Sequence, residues 1–282
     1  MNRHLVTLDD LTPHDIETLF EAAAELKAKR RQGVLHPLLS GKTLAMIFEK
    51  PSLRTRVTFE AGMTQLGGHA IYLTPADIRL GERETVQDAA RNLERWVDGI
   101  VARTFSHQMV LFTLWEKRGR VRDLRVVFVG DGNNVCHSWL EGAAKVGLHF
   151  TLACPKGYGP DPGVLAQAQA QAGASGATLE VTHDPAAAVR GADVLYTDVW
   201  TSMGQEEERA RRLKDFQGFQ VDDRLVGLAA PDVLVMHCLP AHRGEEITDA
   251  VMDGPHSIVF DEAENRLHMQ KAILVHLLGG KG

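Results

Sequence analysis

The stretch TLAMIFEKPSLRTRVTFEAGMTQLGGHAIYL occupies residues 43–73 and contains two apolar runs separated by a polar, helix-like segment. Its two ends, TLAMIF at 43–48 and HAIYL at 69–73, are apolar runs of strand length. Residues 56–66, between them, are predicted to form a helix. A strand that is followed by a helix and a second strand predicts a parallel pair covered by that helix.

The same alternation continues outward along the chain. Strands are predicted at 99–103, 124–130, 150–154, 178–182, 194–200, 233–239 and 257–260, and helices from Pro13 and at 86–96, 135–145 and 162–172. This order favours an α/β fold with parallel sheets. The alternation breaks near 104–120, and 282 residues exceed the usual size of one core. We predict two doubly wound domains, 1–115 and 116–282, with the active site in the cleft between them and the C-terminal helix packed back on the first.

Composition and charge exclude several classes of protein. A net charge of −6 argues against general nucleic-acid binding. The cysteines, Cys136, Cys154 and Cys238, have neither the number nor the spacing of a disulfide framework or a structural zinc site. Acidic residues interrupt the N-terminus, so a signal peptide is not predicted, and no apolar run has the length of a membrane span. We therefore expect a cytoplasmic protein.

A basic cluster lies in the predicted turn between the strand at 43–48 and the helix after it. Lys50, Arg54 and Arg56 alternate there with the hydroxyl residues Ser52 and Thr55. Open α/β sheets bind ligands at the carboxyl ends of their strands, and a helix N-terminus favours negative charge. Guanidinium forks and hydroxyls suit an anion with several oxygens. A solvated basic turn is the alternative; no Walker motif is present, so ATP is not implied.

Three later stretches also follow predicted strands: VFVGDGNNV at 127–135, DVWTSMGQE at 198–206 and HCLPAHRG at 237–244. Because each lies at the carboxyl end of a strand, they can converge on one crevice. Asp198 could hold a cationic or amine substrate, and Asn133 and Asn134 could bind a carboxylate or an ammonium. The alternatives are a helix N-cap for Asp198 and core packing for Cys238.

These motifs resemble those of the aspartate/ornithine carbamoyltransferase family over almost the whole chain. F-x-K-x-S-x-R-T-R at 48–56 resembles the carbamoyl-phosphate signature, and G-D-x-N-N, D-x-W-x-S-M-G and H-C-L-P resemble the ornithine-type signatures. The segment FDEAENRLHMQKAIL near the end resembles the family's E-N-R segment. The resemblance implies transfer of the carbamoyl group from carbamoyl phosphate to the δ-amine of ornithine, which gives citrulline and phosphate.

The resemblance also implies the roles of individual residues. Carbamoyl phosphate would be held by Ser52, Leu53, Arg54, Thr55, Arg103, Cys238, Leu239 and, from the second domain, Arg266. Ornithine would be held by Asn134, Asp198, Ser202 and Met203. Arg103, Arg54 and Cys238 are the predicted catalytic residues. No metal or cofactor is implied, and the family resemblance implies a homotrimer or an assembly of trimers.

The sequence departs from the family pattern at two places. The family's H-P-x-Q motif should follow Arg103, but no such segment is present between Val110 and Leu111. Either the natural protein has a segment that this sequence lacks, or a true deletion leaves an impaired enzyme. We favour the first, because residues 109–111 join two good matches with nothing novel between them. The second departure is Arg79, where the family commonly has Gln.

Three rival functions remain open. LRVVFVGDGNNV at 124–135 resembles the start of a dinucleotide-binding unit, but its third Gly is missing and the next strand ends at Cys154-Pro155 without an acidic residue. A relative that binds carbamoyl phosphate without turnover would fit the missing segment. A carbamoyltransferase for another amine, such as putrescine, is also open, although D-x-W-x-S-M-G favours ornithine.

Overall fold

A computed structural model describes residues 4–7, 10–48, 52–74, 76, 85–103, 109–202 and 206–279. The first part of the chain forms three strands and three helices within these residues, which are α1 Pro13–Arg31, β1 Thr43–Phe48, α2 Leu53–Gln65, β2 His69–Leu73, α3 Val86–Trp96 and β3 Gly99–Arg103. The strands form a parallel sheet in the order β2-β1-β3. The strand–helix–strand pattern predicted at 43–73 is therefore confirmed.

A second parallel sheet has five strands in the order β6-β5-β4-β7-β8 in the described part of the chain. Its strands are β4 Arg125–Val129, β5 His149–Ala153, β6 Leu179–Thr182, β7 Val194–Thr197 and β8 Leu234–His237. The helices around it are α4 Met109–Arg118, α5 Asn134–Val146, α6 Pro162–Ser175, α7 Pro185–Ala188, α8 Arg209–Asp215, α9 Asp223–Val226 and α10 Asp249–Met252, and the last helix of the chain is α11 Val259–Leu278. The predicted α/β class with two parallel sheets is confirmed.

The predicted strand at 257–260 is wrong. Only Ser257 makes a bridge, to Val235, and α11 begins at Val259. Ile258 and Val259 are buried, which accounts for the strand-like apolar run in the sequence. Asp261 and Glu262 occupy the first turn of α11, where negative charge stabilises a helix N-terminus.

The chain divides into two compact units. The first consists of Met1–Leu5, His14–Phe105 and Glu264–Gly282, and the second of Val6–Pro13 and Ser106–Ala263. The second unit has a large apolar core around β4, β7 and β8 that includes Val129, Leu195, Trp200, Phe216 and Val235. The boundary between the two predicted domains, at 115/116, stays a prediction. So does the location of the active site between these domains.

Buried polar side chains join α11 to α1 and α2 in the first unit. Lys271 is fully buried, and its Nζ lies 2.6 Å from His36 Nε2 and 3.0 Å from Gln65 Oε1. Lys27 of α1 donates to Asn265 Oδ1 at 2.7 Å. This network fixes α11 against the helix that begins at the basic turn. No helix in the described part of the chain is both long and apolar enough to span a bilayer.

Candidate active site

The basic turn is the first of two groups of predicted site residues. Ser52 is the N-cap of α2 in an extended conformation, but its side chain makes no capping hydrogen bond. Its Oγ instead donates to Thr55 Oγ1 at 3.1 Å. Leu53, the first helical residue, is 76% exposed. A helix N-terminus without a side-chain cap keeps amide donors for an anion, and the dipole favours negative charge there.

The two arginines of this turn have different environments. Arg56 donates from Nε to Glu60 Oε1 at 2.9 Å, and its guanidinium stacks over Tyr72 at 4.0 Å from the ring centroid. Arg56 is therefore occupied by neighbours within the first unit. Arg54 is half-buried, and its backbone carbonyl accepts from Thr58 Oγ1 at 2.7 Å. Of the two, Arg54 is the residue that the sequence assigned to the anion.

Arg103 ends β3, the strand next to β1. Its backbone pairs with Phe48, the last residue of β1, so β3 ends level with the strand that leads into the basic turn. The side chain of Arg103 lies outside the described part of the chain, and so do Arg79 and Met203.

Arg266 requires a correction to its predicted domain. It lies in α11, in the stretch Glu264–Gly282 that belongs to the first unit, the unit of the basic turn. It was expected to act from the second domain. The physical reason is the polar network of Asn265 and Lys271, which anchors this part of α11 to α1 and α2. The buried Nε of Arg266 has no hydrogen-bond partner among the described residues.

The second group of site residues lies at the carboxyl ends of β4, β7 and β8, which are neighbours in the second sheet. Asp198 follows β7 and is 6% exposed. One carboxylate oxygen accepts from Asn133 Nδ2 at 2.9 Å, and the other accepts from Cys238 Sγ at 3.1 Å. The three stretches predicted to converge therefore do meet, at the side chain of Asp198.

Asn133, which the sequence analysis named beside Asn134 but did not include among the ornithine-binding residues, is the one that contacts Asp198. It is the N-cap of α5, and its Oδ1 accepts from the amides of Val135 and Cys136. These bonds orient the side chain so that its NH₂ group faces Asp198. Asn134, which the sequence assigned to ornithine, is the first residue of α5 and lines the neighbouring cavity. The N-cap preference for Asn was the available signal for the role of Asn133.

His237, which precedes Cys238 in the chain, forms a buried pair with Glu246. His237 Nδ1 accepts from the Leu239 amide at 2.8 Å, and its Nε2 lies 3.2 Å from Glu246 Oε1. The same oxygen accepts from the His242 amide at 2.6 Å. His237 thus carries its proton on Nε2, and it holds Leu239 in a left-handed conformation with φ 59°. Within the described chain, Glu246 Oε2 is buried without a hydrogen-bond partner.

The group Asp198, His237 and Cys238 also has the spacing of a metal-ligand set. Its ligand atoms all lie within 4.8 Å of one another. Both ring nitrogens of His237 already face hydrogen-bond partners, however, and the Cys238 thiol donates to Asp198. This arrangement suits hydrogen bonding to a polar substrate better than metal ligation.

A polar cavity of about 720 Å³ opens beside Asn134 in the second unit. It is lined by Asp131, Gly132, Asn133, Asn134, Gly157, Tyr158, Gly159, Ser202, Glu208, Arg211, Arg212 and Asp215. Burial raises the pKa of Asp131, although Arg212 Nη1 donates to it at 2.9 Å and opposes that rise. Polar groups that converge in a concave site can fix the orientation of a polar ligand.

The two other cysteines belong to the core. Burial raises the pKa of the Cys136 thiol well above its ordinary value, and it raises that of Cys154 to about 11. Thiols in such surroundings are inert. Cys238, which is half-buried at the end of β8, differs from both in its contact with Asp198.

Family comparisons assign the chain to a class. Residues 3–134 match the family model described as aspartate/ornithine carbamoyltransferase, carbamoyl-P binding domain. Residues 122–277 match the model described as the Asp/Orn binding domain of the same family. The chain belongs to the aspartate/ornithine carbamoyltransferase family.

Within this family, the chain is similar to proteins named ornithine carbamoyltransferase. The chain is 50% identical to the ornithine carbamoyltransferase of Pyrococcus abyssi, over 99% of this chain and 96% of that one. It is 48% identical to a Pyrococcus furiosus protein named "Ornithine carbamoyltransferase, anabolic", over 99% and 97% of the two chains. The solved structure of ornithine carbamoyltransferase from P. furiosus superimposes with a TM-score of 0.94 at 47% identity, and the match covers 99% of this chain and 98% of that one.

The alignment with the P. abyssi protein provides evidence on the missing H-P-x-Q segment. The alignment with the P. abyssi protein extends over 305 positions, although the present chain has 282 residues. The relative therefore contains residues that have no counterpart here. Val110 and Leu111, which flank the expected insertion, are buried neighbours in α4.

Proposed function

We propose that the protein transfers the carbamoyl group of carbamoyl phosphate to the δ-amine of L-ornithine and releases citrulline and phosphate. The observation that carries the proposal is the hydrogen-bonded group of Asp198, Asn133 and Cys238 at the ends of three adjacent strands. A buried carboxylate among neutral donors suits an ammonium-bearing substrate. Relatives near 50% identity that carry the name of this activity support the same conclusion.

The first unit would supply the site for carbamoyl phosphate. Ser52, Leu53, Arg54 and Thr55 would hold the phosphate through hydroxyls, main-chain amides and a guanidinium at the start of α2. Arg103 would reach the carbonyl oxygen, where negative charge develops during the reaction. Arg266 would add a donor from α11, and its partnerless buried Nε is consistent with that role.

The second unit would supply the site for ornithine. Asn134, Asp198, Ser202 and Met203 would hold the α-amino-acid end. Cys238 and Leu239 would lie where the amine meets the carbamoyl carbon, so the thiol is close to the reacting nitrogen. We assign Asn133 an additional role, because its amide orients the carboxylate of Asp198.

The chemistry needs a neutral amine, since an ammonium has no lone pair to attack with. The nitrogen–carbon bond forms, the carbon–oxygen bond to phosphate breaks, and phosphate leaves with the bonding electrons while the nitrogen gives up a proton. Arg54 and the start of α2 offset the charge of the leaving phosphate. We expect the rate to rise with pH through the pKa of the bound amine.

We further propose that the protein acts as a homotrimer, or as an assembly of trimers, in the cytoplasm and in arginine biosynthesis. Large apolar side chains lie exposed in the first unit, which supports an interface there: Leu53 76%, Trp96 70%, Val86 56%, Val57 49%, Ile100 43% and Ile71 39%. Groups of exposed apolar residues commonly mark contact surfaces. Light scattering on the purified protein tests the trimer, and a monomer at working concentration would refute it.

A citrulline-formation assay with ornithine, putrescine and aspartate in parallel tests the function directly. We expect turnover with ornithine and little with the other two amines. Turnover with putrescine alone would show that putrescine, and not ornithine, is the acceptor. Binding of carbamoyl phosphate without any turnover would support the second candidate, an impaired relative, which the missing H-P-x-Q segment favours. The intact mass of the natural protein then decides whether a deletion is the cause.

A further inference from the structure

Arg212 is a buried cation that the sequence motifs do not include. It lies in α8 and is 6% exposed. Its Nη1 donates both to Asp131 Oδ2 and to the Trp200 carbonyl, each at 2.9 Å, and its Nε donates to Glu208 Oε2 at 3.0 Å. Its guanidinium also lies over the ring of Tyr158, 5.0 Å from the centroid. A buried charge needs hydrogen bonds and opposite charges of this kind to be tolerated.

These contacts join three loops that border the cavity of the second unit. Asp131 lies two residues before Asn133 in the loop after β4, and Tyr158 lies in the loop after β5. Trp200 lies midway between Asp198 and Ser202, after β7. One guanidinium thus contacts both the loop that carries Asn133 and the loop that carries Asp198 and Ser202. The nitrogens Nη1 and Nε of Arg212 are occupied by Asp131, the Trp200 carbonyl and Glu208. These two nitrogens therefore face protein and not the substrate.

We propose that Arg212 is a positioning residue that sets the affinity for the α-amino-acid end of the acceptor. This inference rests on the proposed function, because it takes ornithine to be the ligand of Asp198 and Ser202. Nη1 reaches both Asp131 and the Trp200 carbonyl, and Nε in the same plane reaches Glu208, so the spacing of these three groups depends on guanidinium geometry. A lysine at this position keeps the charge but has neither the fork nor the stack on Tyr158.

The test compares Arg212→Lys with the wild-type protein and with Arg190→Lys, an exposed arginine of the same unit. For Arg212→Lys we expect the KM for ornithine to rise about tenfold, with kcat and the KM for carbamoyl phosphate changed by less than about threefold. Binding of L-norvaline, which keeps the α-amino-acid end and lacks the δ-amine, should weaken by the same factor. Arg190→Lys should change none of these quantities.

Three results would overturn the inference. They are an unchanged KM for ornithine, equal losses for both substrates, and norvaline binding that stays at the wild-type level. If Arg212→Lys does not fold, Asp131→Asn serves instead, because it keeps an acceptor for Nη1 and removes only the charge of the pair. We expect it to raise the ornithine KM about fivefold, and no rise would refute the role.

Failure of the proposed function gives a different pattern. A wild-type protein that binds norvaline but forms no citrulline contradicts the function, and norvaline binding to the variants still tests Arg212. A wild-type protein that neither binds norvaline nor turns over ornithine refutes both.

Discussion

Lys271 permits a quantitative prediction about the first unit. Burial, with a smaller contribution from Arg30, lowers the pKa of Lys271 from 10.5 to about 8. A tenfold change in an acid equilibrium corresponds to about 1.4 kcal/mol, so carrying the charge costs the folded protein about 3 kcal/mol. The substitution Lys271→Met removes that cost. It also leaves two buried acceptors, His36 Nε2 and Gln65 Oε1, without their donor, at about 1–3 kcal/mol each.

The sign of the pH dependence follows from proton binding. Below pH 8 Lys271 is charged in the folded and the unfolded chain, and the full cost is present. Between pH 8 and 10.5 the unfolded chain binds more protons than the folded one, so the wild-type protein gains stability as the pH rises. Lys271→Met lacks this gain. We expect the variant to be close to wild type at pH 7 and about 3 kcal/mol less stable near pH 10.

Urea unfolding at pH 7, 8, 9 and 10, followed by far-UV circular dichroism, measures the difference between variant and wild type. Lys29→Met is the matched control, because Lys29 lies on the partly exposed side of α1 and pairs with Glu25. Its difference from wild type should stay nearly constant over this range. If the stability difference between Lys271→Met and wild type is equally independent of pH, the argument that burial destabilises the charged Lys271 is refuted.

Four other predictions concern the site and the acid stability of the first unit. Arg54→Ala and Arg103→Ala should each lower kcat by about 10²–10³ in the citrulline assay, because each removes a donor to developing charge, and near-normal turnover would contradict the assignment. Asp198→Asn should weaken norvaline binding at least about tenfold, since it removes the negative charge that would pair with the α-ammonium, while its amide oxygen can still accept from Asn133; calorimetry measures this, and unchanged binding would show that Asp198 does not hold the acceptor. Gly132→Ala should lower the melting temperature and raise the ornithine KM, because its Cβ would lie 2.3 Å from the Gly159 carbonyl carbon; a fully stable variant would mean that this loop yields easily. Burial lowers the pKa of His268 to about 4, so the unfolded chain binds the extra proton between pH 4 and 6.5; His268→Gln should reduce the acid loss of stability in that window, and an unchanged acid transition would exclude His268 as its source.

Much of the fold was predictable because its signals are local. The strand at 43–48, the helix at 86–96 and the Pro13 helix start each depend on residues adjacent in sequence, and the structure has them at those positions. The run at 257–260 misled because burial alone does not separate a strand from the first turn of a buried helix. The acidic residues immediately after it were the signal that favoured a helix.

The candidate site was predictable only in part. Motifs gave Asp198 and Cys238, because each follows an apolar strand directly. They did not give Arg212 or Glu246, whose partners lie far away or across a turn: Arg212 pairs with Asp131, 81 positions earlier in the chain. Pairing at such a distance leaves no periodic trace in the sequence. The packing of the C-terminal helix on the first domain was expected from the sequence, but the side chains that hold it there were not: Lys27 and Asn265 are 238 positions apart.

Two buried carboxylates of the second unit, Asp131 and Asp198, lie in the loops after β4 and β7, and their partners indicate which of the two is available to a substrate. Asp131 faces the Arg212 guanidinium, so its charge is already matched inside the protein. Asp198 accepts its hydrogen bonds from an amide and a thiol, which orient it without supplying a positive charge. A buried carboxylate that is held in place but not neutralised gains most from an ammonium brought by a ligand. This difference supports the proposal that Asp198 holds the acceptor, and that Asp131 acts on the loops through Arg212.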